Sequence, residues 1–94
     1  MRRLLLSSAT VAVIGLHAGA ASAQKEIQFW HAMGGQLGDV TNALAEEFNK
    51  SQTEFKVVPV YKGSYTDTLT AAIAAFRAKQ NPHIVQVFEV GTAT

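Results

Sequence analysis

Polar and apolar residues alternate from Lys25 to Trp30, with Ile27 and Phe29 on one face, which predicts a first β-strand. Met33-Gly34-Gly35 is a turn signal. From Gln36 the period changes. Leu37, Val40, Leu44 and Phe48 fall on one helical face, with Asp39, Glu46, Glu47 and Lys50 on the others, so an amphipathic helix is expected to end near Asn49. After the polar connector Ser51-Gln52-Thr53-Glu54, the segment Phe55 to Tyr61 is rich in Val and aromatics and predicts a second strand. Pro59 has no N–H for a ladder, which puts this strand at or near an edge. Lys62-Gly63-Ser64 turns the chain, and Ser64 with Asp67 resembles a capping box in which Asp replaces the usual Glu or Gln. The helix that follows places Leu69, Ile73 and Phe76 on one face among alanines, which favour helix and allow close approach to a sheet. Asn81-Pro82 is expected to stop it. His83 to Phe88 predicts a third, apolar strand, and Glu89 to Thr92 a loop.

The order β-α-β-α-β with helical crossovers predicts an α/β fold with parallel strands and right-handed connections. The C-terminal ends of parallel strands share one sheet edge, where open α/β sheets bind ligands. The loops Trp30 to Gln36, Tyr61 to Tyr65 and Phe88 to Thr92 would meet there. Trp30 and His31 could form a wall of such a site, although Trp30 could equally cap the core and His31 satisfy a local backbone group. Tyr65 can hydrogen-bond a hydroxyl or phosphate oxygen while its ring packs on the ligand. Lys62 reads more simply as a solvated turn residue. Glu89 follows an apolar strand, where a carboxylate must be solvated or satisfied by a donor. Ligand hydroxyls suit it, and it would repel a phosphate.

The N-terminus reads separately. Arg2-Arg3, an apolar stretch from Leu4 to Leu16 and Ala21-Ser22-Ala23 have the form of a secretory signal peptide, residues 1–23, cleaved after Ala23. Two of the eight basic residues leave with it, so six stand against seven acids in Gln24–Thr94 and the net charge becomes −1. No basic patch remains for nucleic acid. With no cysteine there is neither a disulfide framework nor a thiolate metal site. No glycine-rich phosphate loop, nucleophile motif or metal-ligand spacing is present, so no cofactor, metal or catalytic residue is expected. The 71-residue remainder is small for an α/β core, and it is expected to be the N-terminal part of a longer lobe.

Several segments carry a family resemblance: Phe29-Trp30-His31, Gly35 to Gly38, Val58 to Tyr65, Ala74 to Arg77, and Gln86-Val87-Phe88-Glu89-Val90-Gly91-Thr92-Ala93-Thr94. Together they resemble the periplasmic sn-glycerol-3-phosphate-binding proteins of ABC importers, within the family 1 extracellular solute-binding proteins. The Phe-Trp-His start is common to many sugar-binding relatives, whereas Tyr-Lys-Gly-x-Tyr and Glu-Val-Gly-Thr-Ala-Thr are specific to the glycerol-3-phosphate branch. Gly34 stands where some members carry an acid. The resemblance implies a two-lobed, hinged binding protein, a monomer and not an enzyme, that hands glycerol 3-phosphate or a glycerophosphodiester to a membrane permease. It also implies ligand contact by Tyr65 and Glu89. A maltose-like ligand on the same fold, a small exported enzyme using His31 and Glu89, which turnover on phosphodiesters would reveal, and a nonfunctional truncated fragment are the competing readings.

Overall fold

The structure, a computed structural model, describes residues 23–93. The expected signal peptide lies, apart from Ala23, outside the described residues. Strand β1 (Lys25–His31), helix α1 (Gly35–Ser51), strand β2 (Phe55–Tyr61), helix α2 (Tyr65–Arg77) and strand β3 (Ile84–Val85) are followed by a 3-10 turn, Glu89–Ala93. The strands form a parallel three-stranded sheet in the order β2-β1-β3. The expected α/β fold is therefore present, with β1 central. Right-handed crossovers in opposite directions put α1 and α2 on opposite faces of the sheet. Phe29 and His31 lie on the α1 face, and Trp30, opposite Val60 and Val85, lies on the α2 face.

Strand β2 is an edge strand, as Pro59 requires. Its outward backbone groups are nonetheless not left open. The Gln52 side chain accepts from the Phe55 N–H at 2.7 Å and donates to the Phe55 carbonyl at 2.7 Å. Asn49 does the same for Val57, at 2.8 and 2.9 Å. Pro59, the next outward residue, has no N–H to satisfy. Two amide side chains thus stand where a neighbouring strand would, which protects an edge from further pairing.

Three elements differ from the sequence expectation. The third strand does not run from His83 to Phe88; only Ile84 and Val85 join the ladder. Side chains replace its ends. His83 Nδ1 accepts from the Gln28 N–H at 2.9 Å, and Gln86 Oε1 accepts from the Ala32 N–H at 3.0 Å. Glu89 begins a 3-10 turn instead of an open loop. Helix α2 ends four positions before Asn81, because Lys79 takes the left-handed conformation (φ 59°). Lys79 N–H then bonds the Phe76 carbonyl and Gln80 N–H the Ala75 carbonyl, a Schellman ending that needs no proline.

Helix α1 docks on a face other than the one the apolar pattern suggested, and α2 on a face shifted from it. In α1 the half-buried positions are Gly38, Thr41, Ala45 and Asn49, while Leu37, Val40, Leu44 and Phe48 are exposed. Each large residue precedes a docking residue by one position, about 100° of helix rotation. In α2 Thr68 and Ala72 are buried and Phe76 is 70 % exposed. Small residues bring the helices close to the sheet; α1 keeps its apolar stripe turned away from it, while Leu69, Ile73 and Phe76 of α2 border a hollow beside β3.

The start of α2 follows the expected chemistry. Ser64 Oγ accepts from the Asp67 N–H at 3.0 Å and Asp67 Oδ2 accepts from the Ser64 N–H at 3.1 Å, a complete capping box. Gly63 makes this possible. Its φ is +105°, and a Cβ there would sit 2.7 Å from Asp67 Oδ2, so only glycine fits.

Candidate functional site

All three loops leave the sheet at the same edge, because all three strands are parallel. Backbone bonds fix their relative positions. Lys62 N–H donates to the His31 carbonyl, and Gln86 N–H to the Trp30 carbonyl, both at 2.9 Å. The Gln86 side chain then ties the loop after β1 to the loop after β3 through Ala32. The reversal of strand order between β1 and β3 is the kind of crevice where such sheets hold ligands.

The residues singled out in sequence divide between the two faces. His31 lies on the α1 face, 2 % exposed, and its Nδ1 accepts from the Met33 N–H at 3.1 Å. That bond assigns the proton to Nε2. Burial pushes its pKa below the usual histidine range, so the neutral ring is favoured. His31 therefore serves the local backbone, as one of its two sequence readings held. With Met33, Gly34, Asp39, Asn42 and Tyr61 it also borders a hollow of about 300 Å³ against the start of α1.

Trp30 belongs to the other face. Its indole N–H donates to Gln28 Oε1 at 3.3 Å, and the Lys62 ammonium sits 3.8 Å above the ring centre. This is a cation–π contact worth about 0.5–2 kcal/mol, depending on desolvation. Lys62 is half-buried, so the solvated turn lysine expected from sequence is replaced by a seated one. Tyr65, the first residue of α2, packs against Phe88 with ring centres 5.6 Å apart. Glu89 directly follows Phe88 and is exposed. Tyr65 and the start of the Glu89 turn are thus neighbours at the same edge, with Tyr65 39 % exposed.

Among the described residues, no hydrogen bond joins His31 to Glu89. A second hollow, about 400 Å³, lies between α2 and β3, with Leu69, Ile73, Phe76 and Val85 in its lining. Neither hollow is lined by Tyr65 or Glu89, which stand on an open edge. Among the described residues, no cluster of His, Asp or Glu could hold a metal ion.

Gln86 is the positioning residue that the sequence reading passed over. Its signal was present: a lone amide between Val85 and Val87 in an otherwise apolar run. Lys62 was noticed but not placed, because its contact with Trp30 is made across strands.

Comparison with known proteins sharpens the picture. No family model matches the chain. An sn-glycerol-3-phosphate-binding periplasmic protein UgpB from Brucella suis is 52 % identical over 91 residues, which are 96 % of this chain and 21 % of that protein. The protein of the same name from Pectobacterium atrosepticum is 50 % identical over 94 % of this chain and 20 % of its own length. That from Yersinia enterocolitica is 57 % identical over 79 % of this chain and 17 % of its own. In three dimensions the chain resembles a cyclic α-maltosyl-1,6-maltose binding protein from Arthrobacter globiformis. The TM-score is 0.61 at 24 % identity, over 66 % of this chain and 16 % of that one, and the likeness speaks to the fold alone. Over most of its length, then, the chain is similar to sn-glycerol-3-phosphate-binding periplasmic proteins, and it spans about a fifth of theirs.

Proposed function

We propose that this chain forms one side of the ligand cleft in a periplasmic substrate-binding protein for sn-glycerol 3-phosphate, which delivers its ligand to the permease of an ABC importer. The observation that carries this reading is the 52 % identity across 96 % of the chain with a protein named for that ligand. The geometry supports it, because Tyr65 and the turn that begins at Glu89 come together at the ligand edge of a parallel sheet. Glu89 accepts hydrogen bonds from two glycerol hydroxyls, and Tyr65 donates its phenolic proton while its ring packs beside the ligand. Trp30 closes one wall. The protein binds and releases without chemistry, and residues 1–23 direct its export.

Calorimetry on the protein in the length that the cell exports tests this, with glycerol 3-phosphate, a glycerophosphodiester and maltose as ligands. Glycerol 3-phosphate should bind and maltose should not. Glu89→Gln should weaken glycerol 3-phosphate by about tenfold or more, the loss expected for a charged hydrogen-bond acceptor. Unchanged affinity in that variant would remove Glu89 from the site, and preference for maltose would overturn the ligand.

A further inference from the structure

We infer that Lys62, seated on the Trp30 ring, is the group on this side of the cleft that selects for an anionic ligand end. The inference rests on the reading above and goes beyond it, because that reading gives the phosphate no partner in this chain. Glu89 suits hydroxyls and repels phosphate, so a glycerol phosphate bound by Glu89 must point its charge elsewhere. Among the described residues, which span about a fifth of the relatives' length, the topology leaves one cation at this edge. Lys25 opens β1 and Lys56 is the second residue of β2, far from the strand ends that form the edge. Lys50 lies in the last turn of α1, Arg77 closes α2 and Lys79 follows it, and helices that run back along parallel strands end at the opposite side of the sheet. Among the described residues, Lys62 is the basic side chain that stands at the ligand edge.

Its placement is fixed twice. The Lys62 N–H is bonded to the His31 carbonyl at 2.9 Å, which pins its backbone to the end of β1. Its ammonium rests 3.8 Å over the Trp30 ring, and that ring is in turn oriented by its N–H bond to Gln28. An aromatic face holds an ammonium without consuming its hydrogen-bond donors, whereas a carboxylate partner would neutralise it. Apart from Glu89, which shares the edge, the acids nearby are otherwise engaged or turned away. Asp67 is bonded to the Ser64 N–H in the capping box, and Asp39 lies on α1, across the sheet. Tyr65 is three residues along the same turn, so one short segment presents a cation and a hydroxyl to the same edge.

The experiment is calorimetry at low ionic strength on the exported protein, with glycerol 3-phosphate and glycerophosphocholine as the two probes. The monoester carries nearly two negative charges at pH 8 and the diester phosphate one. Lys62→Met keeps the stem and removes the charge; it should weaken the monoester about tenfold and the diester clearly less. Lys62→Arg should restore most of the loss. Because Trp30 also forms a wall of the site, Trp30→Leu should weaken the monoester in both backgrounds, and by more in the Lys62 background than in the Lys62→Met background. Thermal melting without ligand should show the Lys62 variants folded like the parent. Equal affinity of parent and Lys62→Met for the monoester overturns the inference, and so does an equal loss for both probes. A parent protein that binds neither probe overturns the proposed function, and this inference falls with it.

Discussion

Along β2 the outward backbone groups of Phe55 and Val57 are held by the side chains of Gln52 and Asn49, and Pro59 offers no N–H. Along β3 only Ile84 and Val85 join the ladder, Ile84 is 48 % exposed, and an apolar hollow opens beside it under Phe76. One border of the sheet is sealed by side chains from the last turn of α1 and the residue that caps it. The other presents short strand and apolar surface. Of the groups proposed for the ligand, Trp30 with Lys62 over its ring lies on the α2 face and Tyr65 packs on Phe88 just before Glu89, while the α1 face holds the buried His31. On the proposed function, sealing and recognition fall to different halves of a small α/β unit. The amides of Asn49 and Gln52 do for stability what the loops after β1, β2 and β3 do for binding.

The sharpest way to break that comparison is to unseal β2. Asn49→Ala removes a donor and an acceptor at once and leaves both backbone groups of Val57 without their partner. It should cost about 2 kcal/mol in urea denaturation, since each bond contributes about 1 kcal/mol. The variant should also aggregate more readily on partial unfolding, because an unguarded edge is a template for pairing. Asn49→Asp keeps only the acceptor and should fall between the two. Ile84→Thr on the opposite border should cost about 0.5 kcal/mol or less, as exposed substitutions do. Equal losses at the two borders would show that β2 is not specially guarded.

Next in size is the turn that presents Lys62 and Tyr65. Ser64→Ala deletes half of the capping box and frees the Asp67 N–H. A loss of about 1 kcal/mol is expected by thermal or chemical denaturation. Affinity for glycerol 3-phosphate should fall as well, since the same cap sets where Tyr65 begins α2. A stability loss with unchanged affinity would separate the cap from the site.

What could be read in the sequence follows the range of the forces involved. Strand β2 was legible to its last residue because Val-rich pattern, Pro59 and flanking turns are local signals, and the capping box was legible because both its members lie within one turn. The docking faces of the helices were not. Leu37, Val40, Leu44 and Phe48 make a sound amphipathic stripe, but periodicity reports where apolar residues lie, not which partner covers them. In this chain Gly38, Thr41 and Ala45 face the sheet instead. The third strand is shorter than its apolar pattern for a related reason. Apolar Ile84 to Phe88 reads as continuous strand, yet Gln86 turns its side chain to Ala32 and His83 offers a ring nitrogen to Gln28, so side chains finish what the ladder begins. For the site, the shared edge followed from parallel topology alone. The Trp30–Lys62 contact, made across strands, did not.

The smallest predicted effect concerns the α1 face and its buried histidine. In the folded protein His31 accepts the Met33 N–H through Nδ1, and burial lowers its pKa from the ordinary 6.5. The unfolded chain therefore takes up a proton before the folded one does. The stability held by the neutral ring is fully present above about pH 6.5 and is lost as pH falls through the lower folded value. Asn at this position keeps an oxygen where Nδ1 stood but cannot titrate. Urea midpoints measured from about pH 8 down to pH 5 should fall more steeply for the parent than for His31→Asn, with a difference of about 1 kcal/mol or less across the window. Glycerol 3-phosphate affinity above about pH 7 should change little in this variant, because His31 faces α1 and not the Trp30 side. Parallel pH profiles would mean that the ring's protonation is not coupled to folding, and a large loss of affinity would return His31 to the ligand wall, undoing the division of labour between the two faces.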